Sequence, residues 1–438
     1  MNKRSNISSG LGTALKSITL KRAIFVIAVR IASAFLQLCV GIFLSRTLGV
    51  VSVGIFYGLF GLTQLIAAIS RRGLGQTIVS KLSYEFRDNK KSPLAKAVFL
   101  SAKKTTRITF LFASLASMAI PLFTPNLFEE NPITLFLCTL TISFFSLELS
   151  MNSEWFRAQG KTVISQFIYP LLPNLLFLLF IFNSNIQSLS KAIVYYALSY
   201  LTVTIASNLY LFLFQRDIKI DNSLTQEYTS KIETVASHIL LTELTTLMNT
   251  WMPSIFLPQL APAGSNIAGL FSASSRAARP LQILQASIGY WLSPKIGGES
   301  GFSKERDIVI QRTRRTHLLL ISLALPVYLI LMLLASDIMT LFGTDFVTGA
   351  NTFRIIITAY VISICFGPCG TLLNMCGYAS SNALASVFSL LVFLLALFMV
   401  SISAENVALC VMLSMVCRQL MLAAYVRYHL AFWIYPKL

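Results

Sequence analysis

Residues 267–292 read IAGLFSASSRAARPLQILQASIGYWL. The stretch has the length and apolarity of one membrane-spanning helix, since about 20 residues at 1.5 Å each cross a hydrocarbon core about 30 Å thick. Yet Arg276 and Arg279 sit near its middle. A guanidinium stays protonated at physiological pH, and holding one at membrane depth costs about 3 kcal/mol or more. Three residues apart, the two arginines share one helix face, with Ser272 and Ser275 on the same side. Such a face is expected to line a water-filled cavity that attracts an anion.

The rest of the chain supports a membrane reading. Of 438 residues, 55% are hydrophobic and 12% charged, against about 25% charged in a soluble domain. The apolar residues come in long blocks, which indicates helices apolar all round. Barrel strands would alternate in polarity over about ten residues. Spans are expected near 23–44, 51–69, 107–123, 133–149, 163–182, 192–214, 232–257, 267–292, 317–337, 353–376, 382–401 and 407–428. The fold class is therefore an all-α polytopic membrane protein with about twelve transmembrane helices. Prolines inside several spans, among them Pro170, Pro253, Pro280 and Pro326, read as kinks whose freed carbonyls neighbouring helices satisfy. Lys21-Arg22, the apolar run after them and Ala32-Ser33-Ala34 imitate a signal peptide, but Arg30 interrupts the run and apolarity continues to Leu44. A retained first helix is the expectation.

The net charge of +18 does not point to nucleic acid, because no nucleic-acid-binding motif accompanies it. It reflects the bias of Lys and Arg toward cytoplasmic connections. One side collects Lys3, Arg4, Lys16, Lys21 and Arg22, the basic 71–107 connection, and later clusters up to Lys304–Arg315; the other holds Arg46, Lys191 and Arg354. Both termini are expected in the cytoplasm. The 71–106 connection mixes Ile78, Leu82 and Phe86 with basic residues, as in a short amphipathic helix on anionic lipid headgroups. Membrane lipids are thus expected partners. Seven cysteines, all inside predicted spans, form neither a disulfide frame nor a metal site.

Two segments echo each other. Val53-Gly54-Ile55-Phe56 matches Ala268-Gly269-Leu270-Phe271, and 75–81 (GQTIVSK) matches 289–295 (GYWLSPK). The expected organisation is two parallel six-helix lobes, 1–215 and 216–438, with a cleft between them.

Other intramembrane charges each have two readings. Arg30 either snorkels to headgroups or lines the cleft; Gln37, two turns onward on the same face, favours the cleft. Arg418, near a span end, is expected to snorkel. Glu243 either neutralises Arg276 or Arg279 or couples transport by binding a proton or Na⁺. Glu148 is either a second ion-coupling group or interfacial. No P-loop, Ser-His-Asp set or HExxH occurs. An enzyme is not expected, nor a cofactor or metal.

Several segments resemble polysaccharide exporters of the superfamily that also contains multidrug and toxin extrusion proteins. They are Gly41–Gly49 (GIFLSRTLG) with Val53–Gly58, Phe156–Lys161 (FRAQGK), Gly269-Leu270-Phe271 with Leu292-Ser293-Pro294, and Leu341-Phe342-Gly343 with Phe346. Within that superfamily the chain is most similar to Wzx-type O-antigen flippases. The resemblance implies a V-shaped bundle in a bacterial inner membrane. It implies export of an undecaprenyl-diphosphate-linked oligosaccharide to the periplasmic leaflet, alongside a polysaccharide polymerase and a chain-length regulator. Arg30, Arg276 and Arg279 match, helix by helix, the arginines that line the cavity of the related lipid II flippases. With Gln37 and Ser272 they make the expected substrate-binding set. A cation-coupled drug antiporter of the same fold and a membrane glycosyltransferase using a lipid-linked donor are the alternatives.

Overall fold

The computed structural model describes residues 4–88, 92–184, 186–216, 225–262, 264–284 and 306–433. The sequence echo at 289–295, the motif at 292–294 and the end of the eighth span lie outside the described residues. Every regular element among the described residues is helical. The main helices are α1 (Arg4–Arg71), α2 (Leu74–Asp88), α3 (Pro93–Ser117), α4 (Pro132–Ala158), α5 (Thr162–Asn183), α6 (Leu189–Gln215), α7 (Thr225–Leu260), α8 (Ile267–Ala277), α9 (Arg306–Leu333), α10 (Ala350–Cys365), α11 (Ala379–Met399) and α12 (Ala404–Leu430).

Among the described residues, eight helices are long and apolar enough to cross a membrane. One of them, α1, holds two crossings that meet at Gly49, whose φ of 76° and ψ of 174° break the helical path. A glycine reaches that conformation without the Cβ penalty other residues suffer. Helices α3 and α7, of 25 and 36 residues, are of spanning length too but carry more polar residues. Large apolar side chains such as Leu122, Leu333 and Phe398, each at least 80% exposed, cover the outside.

The charged 71–106 connection folds differently from expectation. It forms α2 and the first turns of α3, which starts at Pro93 behind an N-cap: Ser92 Oγ accepts from the Ala95 amide at 3.2 Å. The apolar face of α2, comprising Leu74, Ile78, Leu82 and Phe86, is buried in protein, with Phe86 edge-on to Trp155 of α4 at 5.0 Å. The expectation that this face rests on lipid headgroups is corrected. Burying those four side chains against the bundle stabilises by roughly 1.5–3 kcal/mol each, and the face is then unavailable to the bilayer.

The apolar core divides into two main clusters. One draws on residues 40–255, the other on Val50 and residues 257–408. Helix α7 belongs by sequence to the second lobe but places Ala236, Trp251 and Ile255 in the first cluster. At the end of the bundle away from the chain termini, the halves meet where the two copies of the short sequence echo face each other. A Cβ on Gly54 would lie 2.8 Å from the Gly269 nitrogen, and one on Gly269 would lie 2.0 Å from the Val50 carbonyl oxygen. Arg46 Nε donates to the Leu341 carbonyl at 2.8 Å beside this seam.

Candidate functional site: a cationic slot between α1, α7 and α8

Helix α8 is interrupted at Ala278 and resumes at Arg279. Pro280 accounts for the break: it has no N–H to donate and its ring crowds the carbonyl of Arg276, four residues back. The kink expected at Pro280 is thus present as a one-residue interruption, with Ala278 itself still in the right-handed helical region. The interruption offsets the two arginines at mid-bundle.

Arg276 is 6% exposed. Its guanidinium lies over the Tyr57 ring at 4.2 Å, the Trp251 ring at 4.3 Å and the Phe60 ring at 5.4 Å. Tyr57 and Phe60 come from α1, Trp251 from α7. Stacking of this kind stabilises a desolvated cation by about 2 kcal/mol, but an aromatic face accepts no full hydrogen bond. Nη2 of Arg276 is buried without a hydrogen-bond partner. Arg279 is half-buried; its Nη1 donates to Gln37 Oε1 on α1, and its guanidinium lies 5.4 Å from the Trp251 ring. Among the described residues, neither arginine forms an ion pair with a carboxylate. Two guanidinium groups with no internal counter-charge, one short of an acceptor, form a slot suited to an anion.

The other expected residues divide. Gln37 joins the slot through Arg279. Ser272 is fully buried and donates to Ser254 Oγ of α7 at 3.3 Å, so it joins helices beside the slot. Arg30 lies further along α1, where its Nε donates to Gln166 Oε1 of α5 at 3.1 Å. Glu243 does not meet Arg276 or Arg279. Its carboxylate pairs with Arg71, which also donates to Ser150 Oγ of α4 at 2.8 Å. Neutralisation of the slot by Glu243 is thus corrected: the acid sits over two turns from Trp251 along α7 and finds a cation at the end of α1 instead.

Glu148 is 1% exposed, which corrects its interfacial reading. Arg107 grips it with Nε at 2.7 Å and Nη2 at 2.9 Å, and Lys103 Nζ stands 2.9 Å from Oε2. Lys103 also donates to Asn152 Oδ1 and Asn208 Oδ1, both at 2.9 Å. Three acceptors match the three ammonium protons, so α3, α4 and α6 share a satisfied polar core. Arg418 turns inward: Nε donates to Ser386 Oγ at 3.0 Å and Nη2 to Asn382 Oδ1 at 3.4 Å, both on α11. Its expected snorkelling is corrected. Sequence reasoning missed the aromatic box, because Tyr57, Phe60 and Trp251 read as ordinary core residues. Among the described residues no cluster of His, Cys, Asp or Glu could hold a metal.

No family model matches the chain, and no curated protein matches it. Solved structures do. An inward-facing multidrug resistance MATE family transporter of the MOP superfamily superimposes with TM-score 0.69 at 16% identity, covering 93% of this chain and 98% of that one. The outward-facing conformation of such a transporter gives 0.65 at 14% identity, covering 94% and 95%. A MOP superfamily transporter from Pyrococcus furiosus, described as having a binding pocket of reverse polarity that suggests a different function, gives 0.69 at 15% identity over 94% and 95%. At such identities the likeness establishes the fold: twelve membrane-spanning helices in two lobes arranged as a V.

Proposed function

We propose that this chain is a flippase that moves an undecaprenyl-diphosphate-linked oligosaccharide from the cytoplasmic to the periplasmic leaflet of a bacterial inner membrane by alternating access. The observation that carries the reading is the Arg276–Arg279 slot, buried at mid-bundle with no carboxylate partner among the described residues and one guanidinium nitrogen unpartnered. A diphosphate supplies the missing acceptors. It can accept charge-assisted hydrogen bonds from both arginines at once, while the glycan occupies the polar cleft and the prenyl chain stays in lipid. In this reading both termini are cytoplasmic, and the closed Gly54–Gly269 seam is the periplasmic gate of an inward-facing state. Neither Glu148 nor Glu243 enters the slot. Glu243 is the better candidate for ion coupling, because protonating it removes the counter-charge of Arg71.

The fold is also that of multidrug transporters, so a cation-coupled drug antiporter is the competing reading. A cationic slot disfavours it, since an organic cation would be repelled there. The Pyrococcus furiosus transporter, whose binding pocket has reverse polarity, offers a precedent for such a change within the fold. The membrane glycosyltransferase reading lacks convergent acids at the slot. The test is binding of inorganic pyrophosphate to the purified protein, followed by tryptophan fluorescence. Wild type should bind, and Arg276→Ala with Arg279→Ala should not. Tight binding of organic cations with no response to pyrophosphate would overturn the proposal in favour of the antiporter.

A further inference from the structure

Helix α5 is broken at Phe167–Leu171, where Tyr169 takes φ −145° and ψ 120°. A residue before proline is pushed out of the helical region, and Pro170 follows. Within a membrane such a break persists where it lines a cavity or where neighbours satisfy the freed backbone. Asn174 Nδ2 donates to the Pro170 oxygen at 2.8 Å beside the break.

The break brings polar side chains together on the first lobe. The Tyr169 hydroxyl donates to Gln64 Oε1 on α1 at 3.3 Å and lies 3.4 Å from Ser146 Oγ on α4. Gln64 is 9% exposed, and its Nε2 is buried with no hydrogen-bond partner. One turn before the break, Gln166 Oε1 accepts from Arg30. Gln64 stands one helical turn beyond Phe60 on α1, and Phe60 lies 5.4 Å from the Arg276 guanidinium, so this cluster adjoins the cationic slot. None of these groups is a carboxylate. Amide and phenol groups both donate and accept, as sugar hydroxyls do, and an aromatic ring offers an apolar face to a pyranose.

We propose that Gln64, Tyr169 and Gln166 form a saccharide subsite that receives the first sugar of the lipid-linked substrate, next to the diphosphate held by Arg276 and Arg279. This rests on the flippase reading. The spare Gln64 N–H groups are the donors that a sugar hydroxyl would satisfy. The test compares binding of undecaprenyl diphosphate with that of undecaprenyl diphosphate carrying one N-acetylglucosamine, measured on the purified full-length protein. Wild type should bind the glycosylated lipid about tenfold more tightly. Gln64→Leu, Tyr169→Phe and the near-isosteric, uncharged Gln64→Met should each lose most of that increment while binding bare lipid as wild type does, which also reports that they fold. An increment that survives in all three variants, or equal binding of both lipids by wild type, would overturn the subsite and leave the flippase reading standing. Failure of wild type to bind either lipid would overturn the flippase reading itself, and the subsite with it.

Discussion

Arg276 is held by faces and not by charges. Three aromatic rings stack on it and, among the described residues, no acid neutralises it, so its binding capacity is unspent. Each charge-assisted hydrogen bond to phosphate contributes about 1.5–3 kcal/mol. Arg276→Ala should therefore weaken pyrophosphate binding by roughly 10- to 100-fold, and Arg276→Lys should recover only part, because an ammonium cannot form the two-pronged contact. Titration calorimetry on the two variants checks both. Trp251→Leu removes the ring shared by both arginines and should weaken binding about tenfold with the charge intact. The arginines were legible in the sequence because charge inside an apolar span is rare and has few explanations. Their partners were not. Trp251 and Tyr57 look like any buried aromatic, and the pairing of Glu243 with Arg71 spans 172 positions that no helical period connects.

At the scale of elements, close backbone approach decides where helices meet. A Cβ at Gly269 would overlap the Val50 carbonyl, so Gly269→Ala must push α8 away from α1. The expected outcome is a gate that no longer seals: a cysteine placed at Ser52 becomes labelled by a membrane-impermeant maleimide faster than in wild type, while pyrophosphate binding is retained. The core of α3, α4 and α6 predicts the opposite pattern. Lys103→Met strands Asn152 Oδ1, while Asn208 Oδ1 keeps its bond from Asn152 Nδ2 and Glu148 keeps Arg107, which should destabilise the protein by about 1–3 kcal/mol; a lowered melting temperature by nanoscale fluorimetry checks it. Sequence periodicity located these helices well, since apolar blocks of spanning length are hard to mistake. It failed where a helix has two possible partners. The stripe of Ile78, Leu82 and Phe86 fits lipid or protein equally, and only the position of Trp155 decides.

Across the whole molecule, the Arg71–Glu243 pair joins the end of α1 to α7, helices assigned to different lobes. If protonation of Glu243 releases that link, Glu243→Gln should leave lipid binding intact while making transport insensitive to an imposed proton or Na⁺ gradient. The twelve-helix, two-lobe plan was legible from composition, spacing and the faint repeat, whereas the state of the gate was not, since it depends on a contact between Gly54 and Gly269, 215 positions apart. The central claim is that a diphosphate-linked glycan crosses the membrane through the arginine slot. Its most direct test is translocation of a fluorescent undecaprenyl-diphosphate-linked oligosaccharide in proteoliposomes, read as loss of protection from an externally added glycosidase. Wild-type protein should expose the glycan, and the Arg276→Ala/Arg279→Ala protein, reconstituted at equal density, should leave it protected at the level of empty vesicles. Equal exposure by both proteins would contradict the account.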